Sequence, residues 1–199
     1  MLRLLLALAV SGCSASSPAP PPAAMSTDAS PPRAASLFEF ADGEARWRVV
    51  NDGVMGGRSQ GFVDVQDGTL RFTGELVTRG GGFTSVRAPR RLDLSGADGV
   101  EMRVRGGGRT FEIDLDDGSR LRGRPVSRRA AFPTTGGWQT VRVPFSALRA
   151  SVFGQPVRVE PLDPAALRSV GLFIADGQDG PFRLEVDWIR AAGAPAADG

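Results

Sequence analysis

The chain has 199 residues, 41% of them hydrophobic, with 24 basic and 22 acidic side chains and a formal net charge of +2. Every basic residue is arginine, because lysine and histidine are absent, and tyrosine is absent too. The pI of about 9.8 therefore reflects missing buffering groups rather than a basic face, and charge points to no nucleic-acid partner.

Residues 1–13 read as a bacterial lipoprotein signal. Arg3 supplies a small positive region, Leu4 to Val10 a short apolar core, and Val10-Ser11-Gly12-Cys13 sets small side chains before the single cysteine. The apolar run falls well short of the roughly 20 residues that a membrane-spanning helix needs. Cys13 is expected to carry lipid, which explains a lone thiol in an oxidising compartment and anchors the chain without spanning the bilayer. An ordinary secretory signal with a chance cysteine is the plainer alternative. The localisation that follows is the cell envelope, on the periplasmic or extracytoplasmic face. Ser14, rather than an aspartate, after the cysteine favours the outer membrane. Residues 14–36 are mainly Ala, Pro, Ser and Thr, which predicts a disordered, polyproline-like tether. Residues 37–190 have the size of one domain, and 191–199 are small and polar enough to fray.

The domain opens with Trp47-Arg48-Val49-Val50-Asn51-Asp52-Gly53-Val54-Met55-Gly56-Gly57-Arg58-Ser59. A plain strand does not tolerate three glycines, and an exposed loop has no need of Trp, Val and Met. The mixture predicts a buried loop with backbone conformations that favour glycine. Beyond it, short alternating runs are separated by glycine turns, and no helical period lasts three turns. Gly61 to Val65 and Thr69 to Thr73 flank Gln66-Asp67-Gly68, a hairpin signal. Further strands are expected at Phe83 to Arg87, Val100 to Arg105, Phe111 to Asp116 (with Asp114 and Asp116 on the wet face), Arg120 to Val126, Trp138 to Val143, Val170 to Ile174 and Phe182 to Ile189. Pro164 to Arg168 suits one helical turn capped by Asp163. About ten short strands with one-sided alternation predict an all-β fold of two packed antiparallel sheets, a β-sandwich; a closed barrel is the alternative.

The opening loop and the segment Gly80-Gly81-Gly82-Phe83-Thr84-Ser85-Val86-Arg87 resemble the complex I intermediate-associated protein 30 family. Its members carry a Trp, then Asn-Asp-x-Val-Met-Gly-Gly-x-Ser, then Gly-Gly-Phe-Ala/Thr-Ser-x-Arg. Arg103-Val104-Arg105-Gly106, Trp138 before Val143-Pro144-Phe145, Ser169-Val170-Gly171 and Leu184 to Ile189 extend the resemblance over nearly the whole domain. It implies a jelly-roll, galactose-binding-like β-sandwich. It also implies a non-catalytic, protein-binding assembly or stability factor for an envelope or respiratory complex, as mitochondrial members serve NADH:ubiquinone oxidoreductase. The lipoprotein signal departs from the mitochondrial members. So does Arg105-Gly106-Gly107-Gly108-Arg109-Thr110-Phe111, where the family commonly has Gly-Asp-Gly and Tyr.

By the family motif, the candidate binding residues are Asn51, Asp52, Met55, Gly56, Gly57, Ser59, Gly81, Gly82, Phe83 and Arg87. Asn51, Asp52, Arg58, Ser59 and Arg87 have the chemistry to line a polar pocket, which supports an alternative function as a carbohydrate-binding lipoprotein of the periplasmic face. The preferred reading bonds Asp52 and Ser59 to their own loop and pairs Arg87 with Asp52 as a clamp. Asp114-Leu115-Asp116-Asp117-Gly118 is acid-rich like a calcium loop but lacks the downstream bidentate Glu, so a hairpin is preferred. Trp47, Trp138 and Trp188 are assigned to the core. No metal or cofactor is expected. With no histidine, Cys13 spent on the anchor and no serine in a nucleophile-elbow context, the chain is read as not an enzyme.

Overall fold

The computed structural model describes residues 36–40 and 46–193. The expected signal, Cys13, the tether up to residue 35 and the tail residues 194–199 lie outside the described residues.

Alternation gives each strand one apolar face, and burying those faces against one another sets the architecture. In chain order the strands are β1 (Ser36–Phe38), β2 (Arg48–Asn51), β3 (Gln60–Gln66), β4 (Thr69–Leu76), β5 (Thr84–Leu92), β6 (Ala97–Arg105), β7 (Thr110–Asp116) and β8 (Arg120–Leu121). They continue with β9 (Arg124–Pro125), β10 (Ser127–Pro133), β11 (Gln139–Pro144), β12 (Arg149–Val152), β13 (Gln155–Pro156), β14 (Leu167–Ile174) and β15 (Gly180–Gly193). A six-stranded sheet runs β11-β6-β15-β4-β3, with β1 also paired to β15. A seven-stranded sheet runs β13-β12-β10-β7-β14-β5-β2. The two share no strand, so the fold is the expected antiparallel sandwich and not a closed barrel.

Between the sheets lie Leu70, Phe72, Met102, Val104, Leu184 and Val186 from one side and Val86, Phe111, Ile113, Leu115, Val170 and Leu172 from the other, all fully buried. Phe182 joins the halves: its ring sits 4.9 Å from that of Phe72 and 6.2 Å from that of Phe111, edge-on to both. Such edge-to-face packing adds to plain area burial. Phe111, the last residue of the segment that departs from the family pattern, is thus core.

Local rules account for several boundaries. Asp67 (φ 52°) and Gly68 (φ 71°) form the two-residue turn predicted between β3 and β4. Pro89 is tolerated inside β5 because β2 pairs only with Thr84 to Arg87, so the strand is an edge by the time the proline is reached. Asp163 accepts a bond from the Ala165 amide (3.0 Å) and caps a 3-10 turn, Pro164–Ala166. That turn is shorter than expected, since β14 begins at Leu167.

Four expectations are corrected. Arg120 to Val126 is not one strand but a tight hairpin, β8–β9, turning at Arg122 (φ 51°) and Gly123 (φ 79°). The final strand runs on to Gly193, burying Ala191 and Ala192, so the fraying tail does not start at residue 191; at the other end Ser36 already belongs to β1 rather than to the tether. Trp47 packs on the core beside Phe38 (5.0 Å), but Trp138 and Trp188 are half-buried on the outside under arginines. Asp117 is no exposed turn residue. It is buried and bonded to Arg128 Nη1 (2.7 Å) and the amides of Ser119 (2.9 Å) and Asp163 (3.0 Å), pinning the segment before β14 to the sheet.

Candidate functional site

The signature loop is built around one carboxylate. After β2 ends at Asn51, Asp52–Met55 make a 3-10 turn that Gly56 terminates in the left-handed conformation (φ 85°). Asp52 is fully buried. Its Oδ1 accepts from the Ser59 amide (2.9 Å), and its Oδ2 accepts from Ser59 Oγ (2.7 Å) and the amides of Gly82 (2.7 Å) and Phe83 (3.3 Å). A side chain at Gly57 or Gly81 would occupy the space of this carboxylate, which is why both positions are glycine. Burial pushes the Asp52 pKa up, but the bonds from Gly82, Ser59 and Phe83 together outweigh it and hold the group below its ordinary value. Asn51 works in the same manner, its Oδ1 taking the Gly61 amide (3.0 Å) and Thr84 Oγ1 (2.7 Å). Loop, β3 and β5 are thereby stitched together.

Among the described residues, Asn51 Oδ1, the Asp52 carboxylate and Ser59 Oγ are engaged within the loop and its neighbouring strands. Asp52, Ser59 and Asn51 face inward onto backbone, while Arg58 is exposed. Met55 belongs to the 3-10 turn by its backbone; its side chain lies outside the described residues. The loop's outward product is Phe83. By fixing the Gly82 and Phe83 amides, Asp52 sets the Phe83 ring parallel to that of Phe173, 5.2 Å away on the outer face of the seven-stranded sheet. The Arg129 guanidinium lies 4.2 Å from the Phe173 ring and bonds Glu112 (2.9 Å).

Arg87 does not pair with Asp52, as the sequence suggested. Strand register aligns Arg48, Arg87, Gly171, Asp114, Arg129 and Arg149 in one row across β2, β5, β14, β7, β10 and β12. Gly171 leaves a gap in that row. A Cβ there would press on Arg87 Cγ (3.2 Å) and Asp114 Cβ (3.3 Å), so the glycine lets Arg87 reach across to Asp114 (3.5 Å). Asp114 points outward as its alternation requires, yet it is buried rather than wet, and it takes a bond from Ser127 Oγ (2.8 Å). Burial dominates its titration and raises its pKa, with Arg87, Ser127 and Arg129 offsetting this in part and Asp116 adding to it. Asp114, Ser127, Arg129, Gly171 and Phe173 were missed as site residues. Gly171 carried a signal within the Ser169-Val170-Gly171 match and Asp114 within the acid-rich stretch read as a hairpin; Ser127, Arg129 and Phe173 carried none.

The model of the Complex I intermediate-associated protein 30 (CIA30) family matches residues 37–186, that is, the sandwich except Ser36 at the start of β1 and the end of β15. The chain belongs to the CIA30 family. It is 29% identical over 188 residues to mitochondrial complex I intermediate-associated protein 30 of Mus musculus, a match covering 80% of this chain and 56% of the relative. The chain thus spans little more than half the length of that relative. In fold it is similar to the family 11 carbohydrate-binding module of the cellulase Lic26A-Cel5E of Clostridium thermocellum (TM-score 0.61, 16% identity, 83% of this chain and 98% of that one). The agarase AgWH50C contains a similar domain (TM-score 0.58, 14% identity, 83% of this chain and 25% of that one). The CIA30 signature therefore reads, in this structure, as a carboxylate-centred scaffold that presents Phe83 to the outer face of the seven-stranded sheet.

Proposed function

We propose that this CIA30 domain is a non-catalytic, protein-binding assembly or stability factor for an envelope or respiratory complex. Membership of the family across residues 37–186 carries the reading. The surface it uses is the outer face of the seven-stranded sheet beside the signature loop. There Arg48, Arg87, Arg129 and Arg149 share a row with Asp114. Arg87 and Arg129 are paired with Asp114 and Glu112, while Arg48 and Arg149 make no ion pair among the described residues. Phe83 and the exposed Val50 lie alongside. Arginine and aromatic side chains are the groups that most often anchor protein interfaces. The partner segment that fits is acidic. Lipid on Cys13 would tether the domain to the membrane, on the periplasmic or extracytoplasmic side. Affinity capture from crosslinked membranes tests the reading: envelope or respiratory-complex subunits are recovered with the native chain and lost with an Arg48→Glu/Arg149→Glu variant. Recovery of nothing above a control lacking the domain overturns it. Cys13→Ser tests the anchor separately, by loss of lipid labelling and of membrane partition.

A second reading, glycan binding, draws on the names of the solved neighbours and on one observation. The half-exposed Arg87 guanidinium stands beside the Asp114 carboxylate, a donor and an acceptor side by side. A glycan array separates the two readings: binding abolished by Arg87→Ala, with folding intact, favours the second.

A further inference from the structure

The outer face of the six-stranded sheet carries a charge imbalance that neither reading uses. Glu185 on β15 is paired in register with Arg105 on β6 and Arg71 on β4, and Arg183 lies two residues before it. All three arginines converge on this one buried carboxylate. Arg105 bonds it through Nε, Arg183 bonds it at 2.6 Å, and Arg71 Nε stands 3.7 Å away, buried and with no hydrogen-bond partner among the described residues. Arg71 has acidic neighbours of its own, Asp67 at 3.9 Å and Asp64 opposite it in register, so the excess positive charge lies with Arg105 and Arg183, which share the single carboxylate of Glu185.

Beside the cluster opens a groove of about 540 Å³, bordered by Arg105, Arg183 and Glu185, with Gly107 and Gly136 leaving open space above their backbones. That volume lies in the range of small-molecule sites. Arg109 also borders it but is already spent: it holds Asp176 through two bonds (2.6 and 2.7 Å) and the carbonyls of Pro181 and Gln178. Arg105 and Arg183 each commit a single N–H to Glu185 out of the five a guanidinium offers, and their side chains are 40% and 59% exposed. Trp138 stacks 4.8 Å from the Arg105 guanidinium and holds it in place.

We propose that this groove binds a small organic phosphate, its phosphate group seated between Arg105 and Arg183. Guanidinium pairs select such tetrahedral oxyanions by parallel charge-assisted bonds. The site is independent of the protein-binding reading, which concerns the opposite sheet.

Calorimetric titration of the full chain tests it, with glucose 6-phosphate as the probe, inorganic phosphate as the bare anion and glucose as the neutral control. The sugar phosphate binds, glucose does not, and affinity falls as salt rises. Arg183→Gln, which leaves the Arg105–Glu185 pair intact, weakens binding at least tenfold without moving the thermal midpoint, and Gly136→Asp, at an open position, does likewise. Vesicles of phosphatidylcholine with and without phosphatidylglycerol show whether a lipid headgroup supplies the anion. No binding of either free phosphate compound, equal affinity for glucose and its phosphate, indifference to both variants, or retention on anionic vesicles alone would each overturn the assignment.

Discussion

Asp52 in the signature loop and Asp114 on the outer face of the seven-stranded sheet are both withdrawn from solvent, yet they are housed in opposite ways. Asp52 takes four hydrogen bonds, three of them from backbone amides, and its pKa is lowered. Asp114 takes one short bond from Ser127 and stands 3.5 Å from Arg87, and its pKa is raised. A carboxylate saturated by backbone donors is a structural part, because its charge is fully used where it sits. One whose burial outweighs its partners is held at an energetic cost. The motif that identifies the family is thus scaffold in this structure, and it fixes Phe83 against Phe173 on the outer face of the seven-stranded sheet.

Breaking the scaffold gives the largest effect. Asp52→Ala leaves several buried donors without an acceptor, at about 1–3 kcal/mol each, so chemical denaturation should show a loss on the order of 3 kcal/mol or more. Native stability in this variant would mean that the loop is not held by its carboxylate. Gly57→Ala comes next. Its methyl group collides with the Asp52 carboxylate and should cost about 1–3 kcal/mol, as overpacking does.

The pH dependence sharpens the contrast, because the two groups act with opposite sign. Asp52 contributes stability above the ordinary Asp value of about 3.9, and that contribution is lost as pH falls through its lower native pKa. Asp114 binds its proton more tightly when folded, so it lowers stability as pH rises from the ordinary value through its higher native pKa. Urea denaturation of Asp114→Asn between about pH 3 and pH 7 should therefore show the variant gaining on the native chain as pH rises, then levelling off. A gain on acidification would reverse the assignment. The smallest effect belongs to Arg87→Ala. As a half-exposed partner it should change stability by less than about 1 kcal/mol, while pushing the Asp114 pKa still higher, since Arg87 opposes the effect of burial there.

Local chemistry made part of this legible in the sequence. The turn at Asp67 and Gly68 could be read because two adjacent residues decide it. The segment from Trp47 to Ser59 was legible only in part: Arg48–Asn51 form strand β2, and Asp52 and Ser59 are buried while Gly53, Gly56 and Arg58 are exposed, because the loop buries its carboxylate rather than its backbone. The hairpin at Arg122 and Gly123 escaped because arginine seldom takes a positive φ, so Arg-Gly carries no turn signal. Alternation correctly turned Asp114 outward, but its burial depends on Arg87, Ser127 and Arg129, which arrive from other strands through register. Arg87 was given the wrong partner for the same reason: only the sheet order places Gly171 between it and Asp114. Arg71 and Arg105 beside Glu185 were equally hidden, since β4, β6 and β15 lie far apart in the chain.

The most direct test of the contrast is a carboxyl carbon-13 NMR titration of the full chain, with Asp52 and Asp114 assigned by mutation. The structure predicts that Asp52 titrates below the ordinary aspartate value and Asp114 above it. The reverse order, or two unshifted curves, would contradict the division between a carboxylate saturated by backbone donors and one held buried beside Arg87.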